Sequence, residues 1–172
     1  KLKLSNPTIL ASGILGTSKE VLERIIKNGA GAVTIKSMSL EPRKGHNSPI
    51  LVGTPGGMLN AVGYKNPGIE EALKEFSNWK SKAPLIFSIV GKTAEEFSQL
   101  TEKINSINCS ALEIVLSCPH TPGYGTLAGQ GTPEATYEIT KAVRDLIVWK
   151  SKLSDEELAK FFEKEKARNN RK

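Results

Sequence analysis

Cysteine is scarce in this chain: there are two, Cys109 and Cys118, among 172 residues. Neither stands in a Cys-x-x-Cys pair, and no Cys/His cluster has metal-ligand spacing. This argues against a disulfide framework and against a metal site, and it fits a reducing compartment. Long apolar runs are missing as well. No stretch of about 18 apolar residues occurs, so the sequence predicts no membrane-spanning helix. The opening KLKLSNPTIL lacks the apolar core of a secretory signal, and a cytoplasmic location is the expectation. Aromatic residues make up only 6%. The formal net charge is +6, but half of that excess lies between Lys150 and Lys172, where eight Lys and Arg face five Asp and Glu. The body is mildly basic and carries no basic stripe interleaved with aromatics, which argues against nucleic acid as a partner.

What is present is a globular composition, 38% hydrophobic and 24% charged. Strand-like and helix-like segments alternate. Pro7 to Ala11 reads as a strand. Thr17 to Asn28 reads as a helix, with Thr17 and Glu20 as a capping box and Val21, Leu22, Ile25 and Ile26 as its apolar stripe. Ala32 to Lys36 is a second strand. A long Pro/Gly-rich segment, Glu41 to Gly68, follows as loop. Ile69 to Lys82 reads as a helix with Leu73, Phe76 and Trp79 on one face. Leu85 to Val90 is a third strand, and Thr93 with Glu96 opens a helix running to about Ile104. Ala111 to Leu116 is a fourth strand, followed by a glycine-rich loop from Ser117 to Gly131. Thr132 then caps a helix with Pro133 in its first position. Leu146 to Trp149 is a candidate fifth strand, and Ser154 with Glu157 a candidate helix start. Four β–α units with continuous apolar strands predict a parallel α/β sheet. Periodicity does not separate a barrel from a doubly wound sheet, but both place their chemistry on the loops after the strands.

Four clusters occupy those loops: Ala11-Ser12-Gly13; Lys36-Ser37 with Leu40-Glu41-Pro42-Arg43; Asn60-Ala61-Val62-Gly63-Tyr64-Lys65-Asn66-Pro67-Gly68; and Glu113-Ile114-Val115-Leu116-Ser117-Cys118-Pro119-His120, with Gly123-Tyr124-Gly125 beyond. In this order and spacing, from about Leu4 to Asp145, the chain resembles the cytoplasmic dihydroorotate dehydrogenases, in their archaeal form. The resemblance implies a (β/α)8 TIM barrel, here incomplete with about four to five β–α units. It implies FMN as cofactor, and oxidation of dihydroorotate to orotate in pyrimidine synthesis. Residues 1–145 then form the N-terminal half of the barrel, and 146–172 a divergent tail. At 172 residues the chain is short for a complete barrel, which takes about 250 and rarely fewer than 200.

The residues agree with such chemistry. Removing a hydride from one carbon of a dihydropyrimidine and a proton from its neighbour needs a hydride acceptor and a base on opposite faces of the ring. Cys118 is the candidate base: a free thiol titrates near ~8.5, and its thiolate accepts a proton. Cys109 has no motif around it and reads as an inert core thiol. Lys36 ends an apolar strand, where an ammonium is costly unless it meets an anion or polar ligand. The resemblance gives Lys36 contacts to flavin and substrate, and gives Ala11, Ser12 and Ser37 contacts to the flavin. Asn60, Ala61, Val62, Gly63 and Tyr64 match the substrate loop; the Asn60 amide suits the imide edge of orotate. The family usually has an apolar residue such as Leu at the place of Tyr64. His120 stands where many relatives have Asn, and His46 reads as a solvated loop residue. The glycines at 123, 125, 129 and 131 suit either a lid over the substrate or a merely flexible surface loop.

Two departures stand out. The family strand before the cysteine usually reads Asn-Leu-Ser-Cys, and that Asn binds flavin and substrate; here the position is Val115, which makes no hydrogen bond. The family's later β–α units carry another active-site lysine and the flavin-phosphate loops, and none of these is matched here. The expectation is that the chain binds flavin weakly, or closes by forming a homo-oligomer or meeting a partner subunit. Two further readings remain open: a dihydropyrimidine-type flavin oxidoreductase, which shares the Ser-Cys-Pro-His box, and a non-catalytic half-barrel homologue.

Overall fold

A computed structural model describes residues 2–147. The second half of the candidate fifth strand and the helix start at Ser154 lie outside the described residues. The elements follow the order β1 (Ile9–Leu10), a 3-10 turn (Ile14–Gly16), α1 (Lys19–Lys27), β2 (Ala32–Thr34), β3 (Leu51–Thr54), β4 (Gly57–Asn60), α2 (Ile69–Phe76), β5 (Leu85–Ile89), α3 (Ala94–Ile104), β6 (Ala111–Ile114), a second 3-10 turn (Gly125–Ala128) and α4 (Pro133–Leu146).

Four strands pair in parallel in the order β1-β2-β5-β6. Each strand of this sheet lies beside its predecessor in the chain. A doubly wound sheet reverses its order at a switch point; an unreversed order with a helix after every strand is that of successive units in a (β/α)8 barrel. The chain thus provides four β–α units of such a barrel. Among the described residues, β1 and β6 each have one neighbour.

The core lies between the sheet and its helices. In β5 alternate side chains turn to opposite faces. Leu85, Phe87 and Ile89 are buried against the helices with Phe76, Phe97, Leu100 and Ile104. Phe87 meets Phe76 edge-on at 6.3 Å between ring centres, and Phe76 meets Trp79 at 6.4 Å. Burying each such ring contributes about 1.5–3 kcal/mol. This layer holds the strand ends, and with them the loops, in fixed places.

Several expectations need correction. The α1 cap is Ser18, whose hydroxyl accepts from the Val21 N–H, and not Thr17, which already has helical dihedrals. The helix after Gly68 ends at Phe76, short of Lys82; Trp79 packs from the turn beyond it. Leu146 closes α4 and does not open a strand. The Glu41–Gly68 loop holds an antiparallel hairpin, β3 with β4, whose Leu51, Val52, Met58 and Leu59 face solvent. Thr93 and Thr132 cap α3 and α4 as the sequence implies, accepting from the backbone N–H groups of Glu96 and Ala135.

Candidate functional site

All four parallel strands deliver their C-terminal ends to one side of the sheet, and a row of polar side chains crosses them there. The Ser12 and Ser37 hydroxyls lie 3.0 Å apart; the Ser88 hydroxyl lies 3.0 Å from Ser37 and donates to Glu113 Oε1 at 2.7 Å. Ser37 and Ser88 are buried. The row therefore links the ends of β1, β2, β5 and β6 by hydrogen bonds alone. The first 3-10 turn packs tightly behind it. Gly16 accepts from the Lys36 N–H at 2.9 Å, and a Cβ there would fall 2.7 Å from the Ile35 carbonyl carbon.

Lys36 is half-buried at this edge, and its ammonium has no hydrogen-bond or ion-pair partner among the described residues. Burial pushes its pKa below the ordinary lysine value. A half-buried cation without a partner is suited to an anion or a polar ring edge.

The segment from Glu41 to Gly68 folds over this mouth and meets the Ser117–Gly131 loop. Arg43 stacks its guanidinium over Tyr124, 4.5 Å from the ring centre, and its Nη1 donates to the Tyr124 hydroxyl at 2.9 Å. The Tyr64 and Tyr124 rings lie 5.7 Å apart, and those of His46 and His120 6.1 Å. Asn66 organises the turn behind Tyr64. Its Nδ2 donates to the Tyr64 carbonyl at 2.7 Å and to the Ser39 hydroxyl at 2.9 Å, while its Oδ1 accepts from the Ser39 and Gly68 N–H groups.

Cys118 sits where the two loops meet. Its carbonyl accepts from the backbone N–H and the hydroxyl of Thr126, each at 3.1 Å. Gly125, in the left-handed region at φ 58°, presses against it so closely that a Cβ would lie 2.8 Å from Cys118 Cα and overlap its N and O. Gln130 ties the same loop to the end of β5: it is buried, accepts from the Gly125 N–H, and donates to the carbonyls of Gly91 and Lys92 at 2.8 and 2.9 Å. The glycine-rich loop is thus pinned at both ends of its second 3-10 turn. The thiol donates to the Thr121 hydroxyl at 3.3 Å. Burial raises the thiol pKa, but the neighbouring Thr121 hydroxyl, His120 backbone and Tyr64 hydroxyl outweigh it, and the net shift is downward. Tyr64 responds in the opposite sense: burial, then the Cys118 contact, raise its phenol above the ordinary value. The Tyr64 hydroxyl is near enough to Cys118 to act on its titration, yet among the described residues it completes no hydrogen bond of ordinary geometry.

Ser12 and Ser37 come together, as do Tyr64 and Cys118. Lys36 stands on the same mouth. Gly63 packs under His46, where a Cβ would meet the ring at 2.6 Å, and the Val62 carbonyl accepts from the His46 N–H. Ala11 and Asn60 are exposed; Asn60 closes β4, and Ala61 after it donates to the Ile50 carbonyl. Neither Ala11 nor Asn60 touches Cys118 through any hydrogen bond among the described residues. The sequence places Arg43, Asn66, Glu113 and Tyr124 in the strand-end clusters without giving them a role, and it does not single out Ser88, Thr121 or Gln130, although all of these build the site.

For a flavin ring, Lys36 and the Ser12–Ser37 hydroxyls present hydrogen-bonding groups along one edge, and the Cys118 thiol lies on a separate loop. The residues present fit the ring side of that cofactor, apart from Val115, which presents no polar atom.

A sequence model described as dihydroorotate dehydrogenase matches residues 1–159. Dihydroorotate dehydrogenase B (NAD(+)), catalytic subunit, of Pyrococcus abyssi is 48% identical over 145 residues, covering 84% of this chain and 48% of that protein. The protein of the same name from Methanocaldococcus jannaschii is 41% identical over 151 residues, covering 85% of this chain and 49% of its own. The chain thus spans about half the length of the curated relatives it matches. Among solved structures, Eimeria tenella DHODH in complex with ferulenol superposes with a TM-score of 0.70 at 18% identity, covering 87% of this chain and 42% of that one. That likeness is one of fold; with the family match and the relatives beside it, the chain belongs to the dihydroorotate dehydrogenase family.

Proposed function

We propose that this chain carries the base and one side of the flavin site of a dihydroorotate dehydrogenase, which oxidises dihydroorotate to orotate on the route to UMP. One observation carries the reading. A thiol of lowered pKa, on a loop after β6 that Gly125 clamps, stands on the same strand-end mouth as a half-buried ammonium with no partner among the described residues. In this reading FMN, when bound, accepts the hydride. Cys118 as thiolate takes the proton from the neighbouring substrate carbon, and that electron pair closes the new carbon–carbon double bond. Lys36 offers its ammonium to the flavin and to the substrate, and Ser12, Ser37 and the Ala11 backbone line the flavin edge. Asn60, Ala61, Val62, Gly63 and Tyr64 close over the substrate. The relatives are named as catalytic subunits, which supports a further subunit, or a second copy of this chain, as partner. The reading places the protein in the cytoplasm; among the described residues no helix is long and apolar enough to cross a membrane.

Anaerobic addition of dihydroorotate to the FMN-loaded protein tests this. The visible flavin absorbance bleaches in the parent and at least about a hundredfold more slowly in Cys118→Ser, the lower bound of the usual range for a general base. Equal bleaching in the two proteins refutes the assignment. The Ser-Cys-Pro-His box with His120 favours one second reading, a dihydropyrimidine-type flavin oxidoreductase. Faster bleaching by dihydrouracil than by dihydroorotate selects it.

A further inference from the structure

We infer that Glu113 is a positioning residue: through Ser88 it fixes the direction of the hydroxyl row, so that Ser37 and Ser12 meet a bound ring as hydrogen-bond acceptors and select an edge that carries an N–H. The argument starts from a count of protons. A serine hydroxyl has one hydrogen to give and two lone pairs, whereas a carboxylate only accepts. Ser88 has two oxygen neighbours, Glu113 Oε1 at 2.7 Å and the Ser37 hydroxyl at 3.0 Å. Its single proton serves the charged acceptor, which makes the shorter and stronger bond. The contact with Ser37 is then a hydrogen bond only if Ser37 donates to Ser88. Ser37 has no proton left for Ser12, 3.0 Å away on its other side, so Ser12 donates to Ser37. Every hydroxyl of the row points toward Glu113, and each bond polarises the next.

The strands hold this arrangement. Ser88 and Glu113 stand directly opposite each other in the β5–β6 register. The Met38 N–H donates to the Ser88 carbonyl and the Val90 N–H to the Met38 carbonyl, each at 3.0 Å, which fixes the segment after β2 beside β5. Ser88 and Ser37 are both buried, so neither hydroxyl turns to solvent. Among the described residues Glu113 forms no ion pair, so no cation there competes with Ser88 for the carboxylate.

The consequence falls at the mouth. Ser37 and Ser12 keep lone pairs there and have no proton to offer. Lys36, next to Ser37 in the chain, offers donors alone. This edge therefore suits a ring on which an N–H stands beside a carbonyl, as it does in the pyrimidine part of an oxidised flavin. It opposes an edge made of acceptors alone, which would set lone pairs against lone pairs. That the ring is FMN rests on the function proposed above; the direction of the row does not.

Two measurements test it. Neutron diffraction from deuterium-exchanged crystals of the protein without flavin places the Ser88 deuteron toward Glu113, that of Ser37 toward Ser88 and that of Ser12 toward Ser37. A Ser37 deuteron aimed at Ser12 or at the mouth overturns the proposal. Fluorescence titration then compares FMN with 3-methyl-FMN, whose ring lacks the N–H. The proteins are the parent, Glu113→Lys, which puts a donor in place of the acceptor, and Ser88→Ala, which cuts the row. The bulk of the methyl group and the phosphate charge are common to every titration, so a change in the affinity ratio reports the hydrogen bond. The preference for FMN falls about three- to tenfold in either variant, the worth of one hydrogen bond. Ser88→Ala decides if Glu113→Lys does not fold. An unchanged ratio in a folded variant overturns the proposal. Failure of both flavins to bind a parent protein whose row points to Glu113 overturns the dehydrogenase reading alone.

Discussion

Gly125→Ala, compared with Gly129→Ala, separates the cost of a backbone conformation from the cost of a contact. Both glycines lie in the left-handed region, at φ 58° and 70°, in the same loop. A Cβ at Gly129 meets nothing within 4 Å, whereas one at Gly125 overlaps the backbone of Cys118. The dihedral penalty applies to both and is about 1–2 kcal/mol. At Gly125 the obstacle is main chain fixed by two hydrogen bonds from Thr126, so it cannot swing aside as a side-chain tip can. Overpacking of this kind adds about 1–3 kcal/mol. In a chain of 172 residues each kcal/mol moves the melting temperature by about 2–4 °C. Gly129→Ala is therefore expected to lower Tm by about 2–8 °C, and Gly125→Ala by about 4–20 °C, always by more than its neighbour. Differential scanning calorimetry measures both. Alkylation of Cys118 supplies a second readout, since Gly125→Ala displaces the thiol from Thr121 and Gly129→Ala leaves it in place. Equal melting shifts for the two variants refute the claim that Gly125 clamps the cysteine.

Three other outcomes follow from the same geometry. The folded-state pKa of Lys36 is depressed by burial below the ordinary 10.5. Stability linked to this shift is present above the unfolded value and lost as pH falls through the folded one, so at neutral pH the charge weighs against the ligand-free fold. Lys36→Met then raises Tm by about 1–3 °C at pH 7, an advantage that shrinks to nothing above about pH 10.5, while FMN titration shows weaker binding; a lower Tm at pH 7 contradicts the burial argument. Ser88→Ala removes the hydroxyl that bonds the Glu113 carboxylate and costs about 1–3 kcal/mol in urea denaturation, with an unchanged midpoint as the contrary result. Asn66→Ala, which breaks bonds to Ser39, Gly68 and Tyr64 at a buried position, costs about 2–4 kcal/mol. It also accelerates amide exchange at Ser39 and Gly68, and persistent protection there would show that Asn66 is not the organiser of the turn.

Local chemistry was legible in the sequence wherever a few neighbouring residues decide the outcome. Thr93 and Thr132 cap their helices because each precedes an amphipathic run and nothing nearby competes. At α1 two hydroxyls compete, and the spacing of Thr17 to Glu20 points to the wrong one. Thr17 closes the first 3-10 turn with helical dihedrals, while Ser18 has the extended backbone, at φ −137° and ψ 151°, that a cap requires. The β3–β4 hairpin escaped notice because both its strands are exposed throughout, so no alternation marks them, although Pro55-Gly56 sits at its turn. The site was legible as motifs and not as contacts. Arg43 and Tyr124 stand 81 positions apart, and spacing along a chain says nothing about which strand-end loops fold toward each other. The strand order that separates a barrel from a doubly wound sheet is a pairing of the same non-local kind.

Val115 ties these observations together. It follows β6 by one residue, its N–H donates to the Ile89 carbonyl at 3.1 Å, and alternation puts its side chain on the face that carries Glu113. Valine presents no hydrogen-bonding atom there, so β6 contributes a carboxylate to the polar row and nothing polar to the mouth above it. In the proposed reading, recognition of a flat heterocycle on this side therefore falls to the ends of β1 and β2, through Ser12, Lys36 and Ser37. In the proposed reading the two loops that meet at Cys118 supply the base. Among the described residues the Cys118 backbone is clamped by Gly125 and Thr126, and its thiol is bonded to Thr121. In that reading, a site divided in this way commits its rigidity to the proton-accepting residue, and ligand affinity depends chiefly on the charge of Lys36, which has no partner among the described residues.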